Sequence, residues 1–530
     1  MDNQKLFLVV AIFLTVFLLW DKWELQQTVD SKGNVVTKTV LSNSVPSVTK
    51  DLPQTQSSEL PNDTKSSSAG IIKVETDLLS VEIDKKGGSV TQTLLKDYPL
   101  TLGSDQKFRL LKNDFGNRNI ARSGLIPDKI LPTHHDNFTS TSDSFSLTGE
   151  SLIVPLFWES ESAKVTKNFR FKKNSYLVEV DYEITNKSNS PINATSYVQL
   201  ARNAFDQGSL MMPTFTGGAR FDDEDIYHKY DFDEFSDDND ATSKGGWIGM
   251  VEHYFLSAWI PNRESSHKYS SKVYDDLYMM QAVNPPQSIA PGQTVNIPGN
   301  SLFVGPKLQE VIDDAAPGLD HTVDYSWLYI VAKPMAELMH WINKYVNSWG
   351  WTIIIFTILI KLVFYKLSEK SYKNMAAMKL LAPRINQLKE TYGDDKQKFG
   401  QKTMELYRKE KVNPAAGCLP ILVQIPVFIS LYWVLLEMVE LRQTPFLYLN
   451  DLADMDQFFI LPIIMVISMI VQQKLNPPPT DPTQAKIMMA LPYVFGVFFL
   501  WFPSGLVLYW VANNILSILQ QWVINKRISG

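Results

Sequence analysis

Five helix-length apolar runs lie in the last third of this chain and limit what it can fold into. Their residue ranges are 351–367, 419–438, 458–471, 487–501 and 506–524. Such runs are typical of membrane-spanning helices, because about 20 apolar residues cross a bilayer core. A further run, 6–20, follows Lys5, and the next residues, Asp21-Lys22-Trp23-Glu24, offer no small-residue cleavage pattern. The sequence therefore predicts six spans, the first of them an uncleaved signal anchor within residues 1–23.

The stretch between the first and second spans changes character at about Ile71. Residues 24–69 are rich in Ser, Thr, Gln, Asn and Pro, and they predict a disordered tether. From Ile71 to about Pro306, apolar and polar residues alternate, and Gly and Pro separate the alternating segments. This pattern is typical of short antiparallel strands. It predicts one large all-β sandwich domain over residues 70–318.

Residues 319–348 switch to helical spacing. The side chains that could form one broad apolar face are Trp327, Ile330, Val331, Pro334, Leu338, Trp341, Ile342 and Tyr345. Because a predicted span (349–367) follows at once, we expect an amphipathic helix that lies in the membrane interface. The alternative is a helix in the core of the β domain.

Residues 368–414 predict a helical hairpin of the coiled-coil type. Met378, Leu381 and Ile385 follow coiled-coil spacing, Gly393 interrupts the pattern, and Phe399 resumes it. The segment is dense in Lys and Arg, which mark the cytoplasmic side of a membrane. The β domain is then outside, both termini are cytoplasmic, and residues 415–530 hold the remaining four spans. The predicted class is a polytopic α-helical membrane protein.

Lys361 is the one charge deep inside run 351–367. A charge at mid-bilayer costs about 2.5–3.5 kcal/mol on insertion scales, so such a residue is either functional or reaches the interface along its stem. Other polar residues of the spans fall on helical stripes: Thr357 with Lys361; Ser468 with Gln472; Trp510, Asn513 or Asn514, Ser517, and Gln520 or Gln521 in the last span; and Gln424 at the start of the third. They are either hydrogen-bonding links between helices or the lining of a hydrated groove.

Carboxylates are missing from the depth of the five C-terminal runs. An ion-coupled transporter usually needs a titrating carboxylate there, which disfavours a second hypothesis, a secondary transporter with an outer ligand-capture domain. The histidines lack metal-ligand spacing, and no glycine motif for phosphate binding is evident. We therefore expect no enzyme activity and no cofactor. A carbohydrate-processing outer domain rests on fold analogy alone.

Long motifs lie along nearly the whole chain, apart from the tether. They include Gly245-Gly246-Trp247-Ile248-Gly249-Met250, Ser257-Ala258-Trp259-Ile260-Pro261, Thr322-Val323-Asp324-Tyr325, Asn347-Ser348-Trp349-Gly350-Trp351, Lys411-Val412-Asn413-Pro414, Gly417-Cys418-Leu419-Pro420 and Trp501-Phe502-Pro503-Ser504-Gly505-Leu506-Val507-Leu508-Tyr509. In these motifs the chain resembles the YidC/Oxa/Alb family of membrane protein insertases, in its Gram-negative form.

The resemblance implies a five-helix insertase core around a hydrophilic groove, and a periplasmic β-sandwich similar to sugar-mutarotase folds. Lys361 falls on the single positive groove position, where the family usually has Arg, and lacks the bidentate fork of Arg. Thr357, Gln424 and Trp510 fall on other groove positions, and the stripe residues that could complete the lining are Asn513, Asn514, Ser517, Ser468 and Gln472.

The function implied by the resemblance is insertion and chaperoning of new membrane proteins in the bacterial inner membrane, without ATP. The partners implied are nascent membrane proteins, the Sec translocon, the lipid bilayer, and, through the hairpin, the ribosome and signal-recognition machinery. No nucleic acid is expected to be read directly.

Overall fold

The computed structural model describes residues 70–529, except 128, 205–213, 223–226, 236–239, 326–327, 394, 414–418 and 477–481. The predicted signal anchor (1–23) and tether (24–69) lie outside the described residues. Two compact units are present. The helical unit contains Ile330–Leu435 and the residues from Gln443 onward. The β unit contains residues 70–329 and also the short segment Leu436–Arg442.

The β unit is built from strands joined mostly by short turns. They are β1 Ile71–Glu75, β2 Leu79–Asp84, β3 Ser89–Pro99, β4 Lys107–Asp114, β5 Asn117–Ile126, β6 Thr139–Ser140, β7 Ser144–Ser146, β8 Ser151–Glu159, β9 Ala163–Lys172, β10 Leu177–Asn186, β11 Ile192–Asn203, β12 Gly217–Phe221, β13 Tyr227–Tyr230, β14 Ala241–Lys244, β15 Trp247–Val251, β16 Phe255–Ile260, β17 Ser266–Tyr274, β18 Leu277–Val283, β19 Gln287–Ile289 and β20 Thr294–Pro306.

These strands form two sheets, and the predicted β-sandwich is confirmed. One sheet has the order β14-β17-β18-β11-β5-β4-β3-β2-β1-β7, with β19 beside β11, and the other β13-β12-β15-β16-β20-β10-β9-β8-β6. Alternation in the sequence becomes alternation in burial, as in β2, where Leu79, Val81 and Ile83 are buried. Side chains from both sheets, such as Leu125 of β5 and Tyr182 of β10, share one core cluster.

Lys167 on β9 is a fully buried cation inside this sandwich. Its ammonium donates to the carbonyls of Gly87 (2.8 Å), Gly88 (2.9 Å) and Ser123 (3.1 Å). The aromatic rings of Phe138, Phe169 and Tyr182 lie 5.3 to 5.9 Å from it. Burial holds the pKa of Lys167 well below its usual range. The two glycines lie in the β2–β3 turn with positive φ, so the hydrogen bonds from Lys167 stabilise that turn.

The helices follow the β strands in the chain. They are α1 Gln309–Ala315, α2 Tyr329–Val346, α3 Trp349–Val363, α4 Tyr365–Tyr392, α5 Lys396–Lys409, α6 Leu419–Glu437, α7 Ile460–Leu475, α8 Pro482–Phe498 and α9 Ser504–Ser529. Within the described residues no single helix has both the length and the apolarity to cross a bilayer, whereas α3 and α4, which meet at a bend of 68°, pass that test as a pair.

The outer surface of the helical unit is apolar. Exposed large side chains include Ile463 and Ile467 on α7, Val494 and Val497 on α8, and Leu519 on α9. Large contiguous apolar surfaces are rare on monomeric soluble proteins and mark contact with a membrane or another protein. This surface agrees with the helix-length apolar runs of the sequence.

Helix α2 has two apolar faces, where the sequence predicted one. Ile330 and Tyr345 are exposed, as we expect for a helix lying in an interface. Ile342, predicted to lie on the same face, is instead buried. The buried side of α2 consists of Ala332, Met335, Ala336, Met339 and Ile342. Trp327 lies outside the described residues.

Helices α4 and α5 occupy the segment for which a hairpin was predicted, and they pack against each other. Leu381 and Ile385 of α4 form a small buried cluster with Tyr407 of α5. Arg384 and Glu410 add an ion pair with a 2.6 Å Nη1–Oε1 distance at the surface. The break between α3 and α4 falls at Phe364, inside the predicted span 349–367, so the chain bends before that run ends.

Candidate substrate groove

Helix α9 organises the polar residues of the helical unit. It packs against α3, α4 and α7, and α7 packs against α8. Helix α9 begins at Ser504, directly after Pro503. Its polar side chains divide between two faces, one toward α3 and α4 and the other toward α7.

The face of α9 toward α3 contains Lys361's partner. The Lys361 ammonium donates to the Ser517 hydroxyl at 2.8 Å, and that hydroxyl donates to the Asn513 carbonyl at 2.7 Å. Lys361 is half-buried. Tyr372, in the second turn of α4, lies near the Ser517 hydroxyl. The lysine is thus held against the interior of the unit by a neutral hydroxyl, and its charge remains available.

Further polar groups lie within about one helical turn of Ser517 on α9. The side-chain oxygen of Asn513 and both polar atoms of Gln520 are buried, with no hydrogen-bond partner among the described residues. Buried polar groups in proteins are almost always hydrogen-bonded, to protein or to water. The arrangement therefore favours a wet site, in which solvent or a polar segment of another chain meets these groups.

The face of α9 toward α7 has a different role. Asn514 donates to the Ser468 hydroxyl at 3.0 Å, and Ser468 donates to the Met465 carbonyl at 2.7 Å. Gln521 donates to the Asn476 side chain at 3.1 Å. Asn514, Ser468 and Gln521 are buried, and their hydrogen bonds link α9 to α7 and to the residue after it, although Gln521 Oε1 has no partner among the described residues. Gln472, one turn beyond Ser468, is half-buried.

Gln424 and Trp510 form a second group, about two turns along α9 from Ser517. Gln424 on α6 donates to the Tyr509 hydroxyl at 2.9 Å. The Trp510 ring packs edge-on against Phe428 of α6, with centroids 4.5 Å apart, and also contacts Phe499. Seven residues of helix separate Trp510 from Ser517, a rise of about 10 Å. Both groups share one side of α9 because i and i+7 positions align.

Thr357 adds no free polar group. It is buried, and its hydroxyl donates to the Ile353 carbonyl of its own helix at 2.6 Å. Tyr509 and Tyr372 are polar contacts that the sequence reasoning did not single out. Tyr509 directly precedes Trp510, so the prediction of Trp510 as a groove residue was the signal that could have identified Tyr509. Tyr372 lay outside the predicted spans, where a groove residue was not sought.

Packing loosens toward the Lys361 end of α3. Ile353 and Phe356 are fully buried, whereas Leu362 and Val363 are 61% and 74% exposed. Helix α6 has the same gradient, because Leu431 and Val434 are fully buried while Ile425, next to Gln424, is exposed. Lys361 and Gln424 therefore lie toward those ends of α3 and α6 where the neighbouring apolar side chains are exposed.

Two family models match the chain. One, described as 60Kd inner membrane protein, matches residues 341–530, and the other, described as YidC periplasmic domain, matches residues 71–338. The protein named membrane protein insertase YidC of Ruthia magnifica subsp. Calyptogena magnifica is 57% identical, with 100% of each chain covered. The protein of the same name in Methylobacillus flagellatus is 44% identical, over 99% of this chain and 97% of its own.

A solved structure also resembles the chain. It is described as an active YidC insertase with the first transmembrane domain resolved, and it covers 86% of this chain and 92% of its own, at 19% identity and a TM-score of 0.41. The sequence matches by themselves define the class, an inner-membrane protein insertase with a periplasmic domain, which is not an enzyme. The chain belongs to the YidC family of membrane protein insertases.

Proposed function

We propose that this chain inserts newly made membrane proteins through a hydrated groove whose positive charge is Lys361. The observation that carries the proposal is the relay from Lys361 through Ser517 to Asn513, beside the unpartnered amide of Gln520. A lone cation is tolerated in an apolar helix where water reaches it or where a substrate brings negative charge. The loose packing at this end of α3 supports access from outside the unit.

The groove lowers the barrier for a polar tail. A substrate's short outer tail enters beside Lys361, Ser517 and Gln424, and crosses less hydrocarbon than a full bilayer presents. Trp510 and Asn513 complete the lining, and Thr357 supports it from its buried position in α3. Asn514 and Ser468 hold α9 against α7 behind the groove, with Gln472 at its edge. The apolar helix of the substrate then moves into lipid along the apolar outer surface of α6 and α8. Its burial, and the membrane potential for acidic tails, drive the step.

The topology proposed with this mechanism has six spans. The hairpin α4–α5 lies in the cytoplasm with both termini, and the β unit lies in the periplasm. The basic surface of the hairpin suits ribosome and signal-recognition partners, and cooperation with the Sec translocon and a chaperone role are part of the proposal. The β unit is accessory to insertion.

The test is depletion of the native protein and rescue by variants. The reporter is a single-span substrate made with an acidic or a neutral outer tail. We expect Lys361→Arg to restore insertion of both substrates, and Lys361→Glu to slow insertion of the acidic-tailed substrate about 30-fold. The reason is that an attraction of about 1 kcal/mol between two charges 4 Å apart in water becomes a repulsion of similar size. Lys366→Glu is the matched control, because Lys366 is exposed.

Equal rescue of the acidic tail by Lys361→Glu and Lys366→Glu contradicts the proposed role of the groove charge. Uptake of a small molecule by proteoliposomes, driven by an ion gradient, would favour the secondary transporter. Deleting most of residues 71–306 tests whether the β unit is accessory.

A further inference from the structure

The loop that joins β3 to β4 presents two exposed leucines. Leu100 is 46% exposed and Leu102 is 48% exposed. The stretch from Tyr98 to Ser104 carries no charge. Its backbone is closed on itself, because Leu100 donates to the Gln106 carbonyl at 2.7 Å and Ser104 donates to the Thr101 carbonyl at 3.0 Å. The leucines are therefore held on an ordered tip, which we call the leucine tip (Leu100–Leu102).

Arg442 ties the leucine tip to the segment that follows α6. Its guanidinium donates to the Pro99 carbonyl at 2.8 Å and to the Leu100 carbonyl at 2.9 Å. All of these residues belong to the β unit. Arg442 follows Glu437, the last residue of α6, by only five positions, so the chain between them spans at most about 17 Å. If α6 is a membrane span, as the proposed function requires, this short connection keeps Arg442 and the tip bound to it within reach of the outer headgroup region.

Aromatic side chains surround the same arginine. The Arg442 guanidinium lies 5.9 Å from the Phe255 ring centroid, Phe108 stacks on Phe255 at 4.1 Å, and Tyr98 meets Phe255 edge-on at 5.3 Å. Tyrosine and arginine side chains are common at a membrane–water boundary, and here the buried Phe255 supports both. The leucine tip projects from a base of that composition.

We propose that the leucine tip docks the β unit in the outer headgroup region of the phospholipid bilayer. A second protein is a poorer fit, since two half-exposed leucines offer roughly 200 Å² or less, while a specific protein interface buries about 1,200 Å² or more in total. Lipid needs no matching surface, and an apolar tip enters the headgroup and acyl boundary to a depth of about 5–10 Å. This inference rests on the proposed membrane topology.

The test uses the whole chain in phospholipid nanodiscs, one copy in each disc. The single cysteine, Cys418, is replaced in a Cys418→Ala background, and Leu102→Cys is labelled with an environment-sensitive dye. The matched control is Phe115→Cys in the β4–β5 turn, where Phe115 is 98% exposed. Strand β4 separates the two positions by eight residues, or about 25 Å at about 3.3 Å per residue.

We expect the label at position 102 to emit at shorter wavelength than the label at 115. Quenching by a lipid with a nitroxide near the headgroup should be about twofold stronger or more at 102, given the shallow depth of interfacial insertion. Arg442→Met should weaken that quenching without changing position 115. Leu100→Cys provides a second labelling position if Leu102→Cys does not fold.

Equal emission and equal quenching at positions 102 and 115 overturn the proposal. So does a wavelength shift that appears only when two chains share a disc, because the occupant is then a second copy. The same nanodisc preparation is assayed for insertion of the single-span substrate. Normal insertion with an unquenched tip rejects the lipid contact alone, whereas loss of Lys361 dependence rejects the proposed function.

Discussion

Lys361 of α3 and Ser517 of α9 are joined by a hydrogen bond of 2.8 Å between Nζ and Oγ, although 156 residues separate them in the chain. Ser468 of α7 makes an equivalent relay, since it accepts from Asn514 and donates to a backbone carbonyl. Substitution of Ser517 therefore tests one face of α9, and substitution of Ser468 tests the other.

Ser517→Ala should reduce insertion of an acidic-tailed substrate by about tenfold, because a hydrogen bond to a charged group contributes about 1.5 kcal/mol or more. Insertion of the neutral-tailed substrate should be reduced less. Ser468→Ala should instead lower the melting temperature and leave the dependence on tail charge unchanged. Insertion into proteoliposomes and thermal unfolding measure the two effects. Identical behaviour of the variants contradicts the division into a groove face and a linking face.

Lys307 and Glu437 form a fully buried ion pair in the β unit. Their Nζ–Oε2 distance is 2.8 Å, and Lys307 also donates to the Thr322 carbonyl at 3.0 Å. Glu437→Gln should lower the free energy of unfolding of the β unit by about 3–5 kcal/mol, because a buried ammonium loses its counter-charge. The double variant Lys307→Met/Glu437→Leu should be much closer to the original chain.

The surface pair Lys172–Glu179 is the control for this ion pair. Its Nζ–Oε1 distance is 2.6 Å, but both side chains are exposed. Glu179→Gln should change the free energy of unfolding by about 1 kcal/mol or less. Denaturant titration followed by circular dichroism measures all of these variants. Similar losses for Glu437→Gln and the double variant would show that burial of an unpaired charge is not the cause.

His253 should make the stability of the β unit pH-dependent. Burial and the nearby Lys307 ammonium lower the pKa of this histidine to about 3, from an ordinary value of 6.5. Between those values the unfolded chain binds a proton that the folded chain excludes. The contribution of His253 is therefore complete above about pH 6.5, and it is lost as the pH falls toward 3, by at most about 1.4 kcal/mol per pH unit.

The measurement is the free energy of unfolding between pH 7 and pH 5, for the original chain and His253→Gln. The difference between the two curves isolates the histidine from carboxylates, which titrate mainly at lower pH. The variant should have the shallower slope. Parallel curves would mean that His253 does not titrate differently in the folded and unfolded states.

Lys167→Met should destabilise the β unit by about 3 kcal/mol or more, since each buried carbonyl left unpaired costs about 1–3 kcal/mol. Three carbonyls lose their donor in this variant. Lys164→Met, on the same strand at an exposed position, should have little effect. Thermal unfolding compares the two, and equal melting temperatures would rule out a structural role for the buried ammonium.

Local patterns predicted the elements well. Alternation in segments such as Leu79–Asp84 led to the β-sandwich, and coiled-coil spacing around Leu381 and Ile385 led to the helical hairpin, because both signals come from one short stretch of chain. Lys167 shows where this reasoning stops. Its side chain points to the same face of the strand as those of Val165 and Phe169, which are buried. Its charge, however, favours an exposed side chain. The carbonyls that accept its hydrogen bonds lie about 80 and 44 residues away in the chain.

The sequence predicted the polar residues of the candidate site as stripes along single helices. It did not predict which residues of other helices they contact. Asn513 and Asn514 are adjacent, so they point about 100° apart on a helix. The sequence left the choice between them open, because the packing order of the helices is not a local property. In the structure Asn514 meets Ser468, while the carbonyl of Asn513 belongs to the Lys361 relay. The predicted exposure of Ile342 on α2 was wrong for a related reason. Two faces of that helix are apolar, and only packing decides which of them is buried.

The membership of Leu436–Arg442 in the β unit sets an order of events during synthesis. Lys307 leaves the ribosome 130 residues before Glu437, which at about 5–20 residues per second is a delay of roughly 6 to 26 seconds. Throughout that interval the β unit lacks both the counter-charge of Lys307 and the arginine that holds its β3–β4 loop. The β unit of this membrane protein insertase therefore cannot be completed until α3 to α6 have been made.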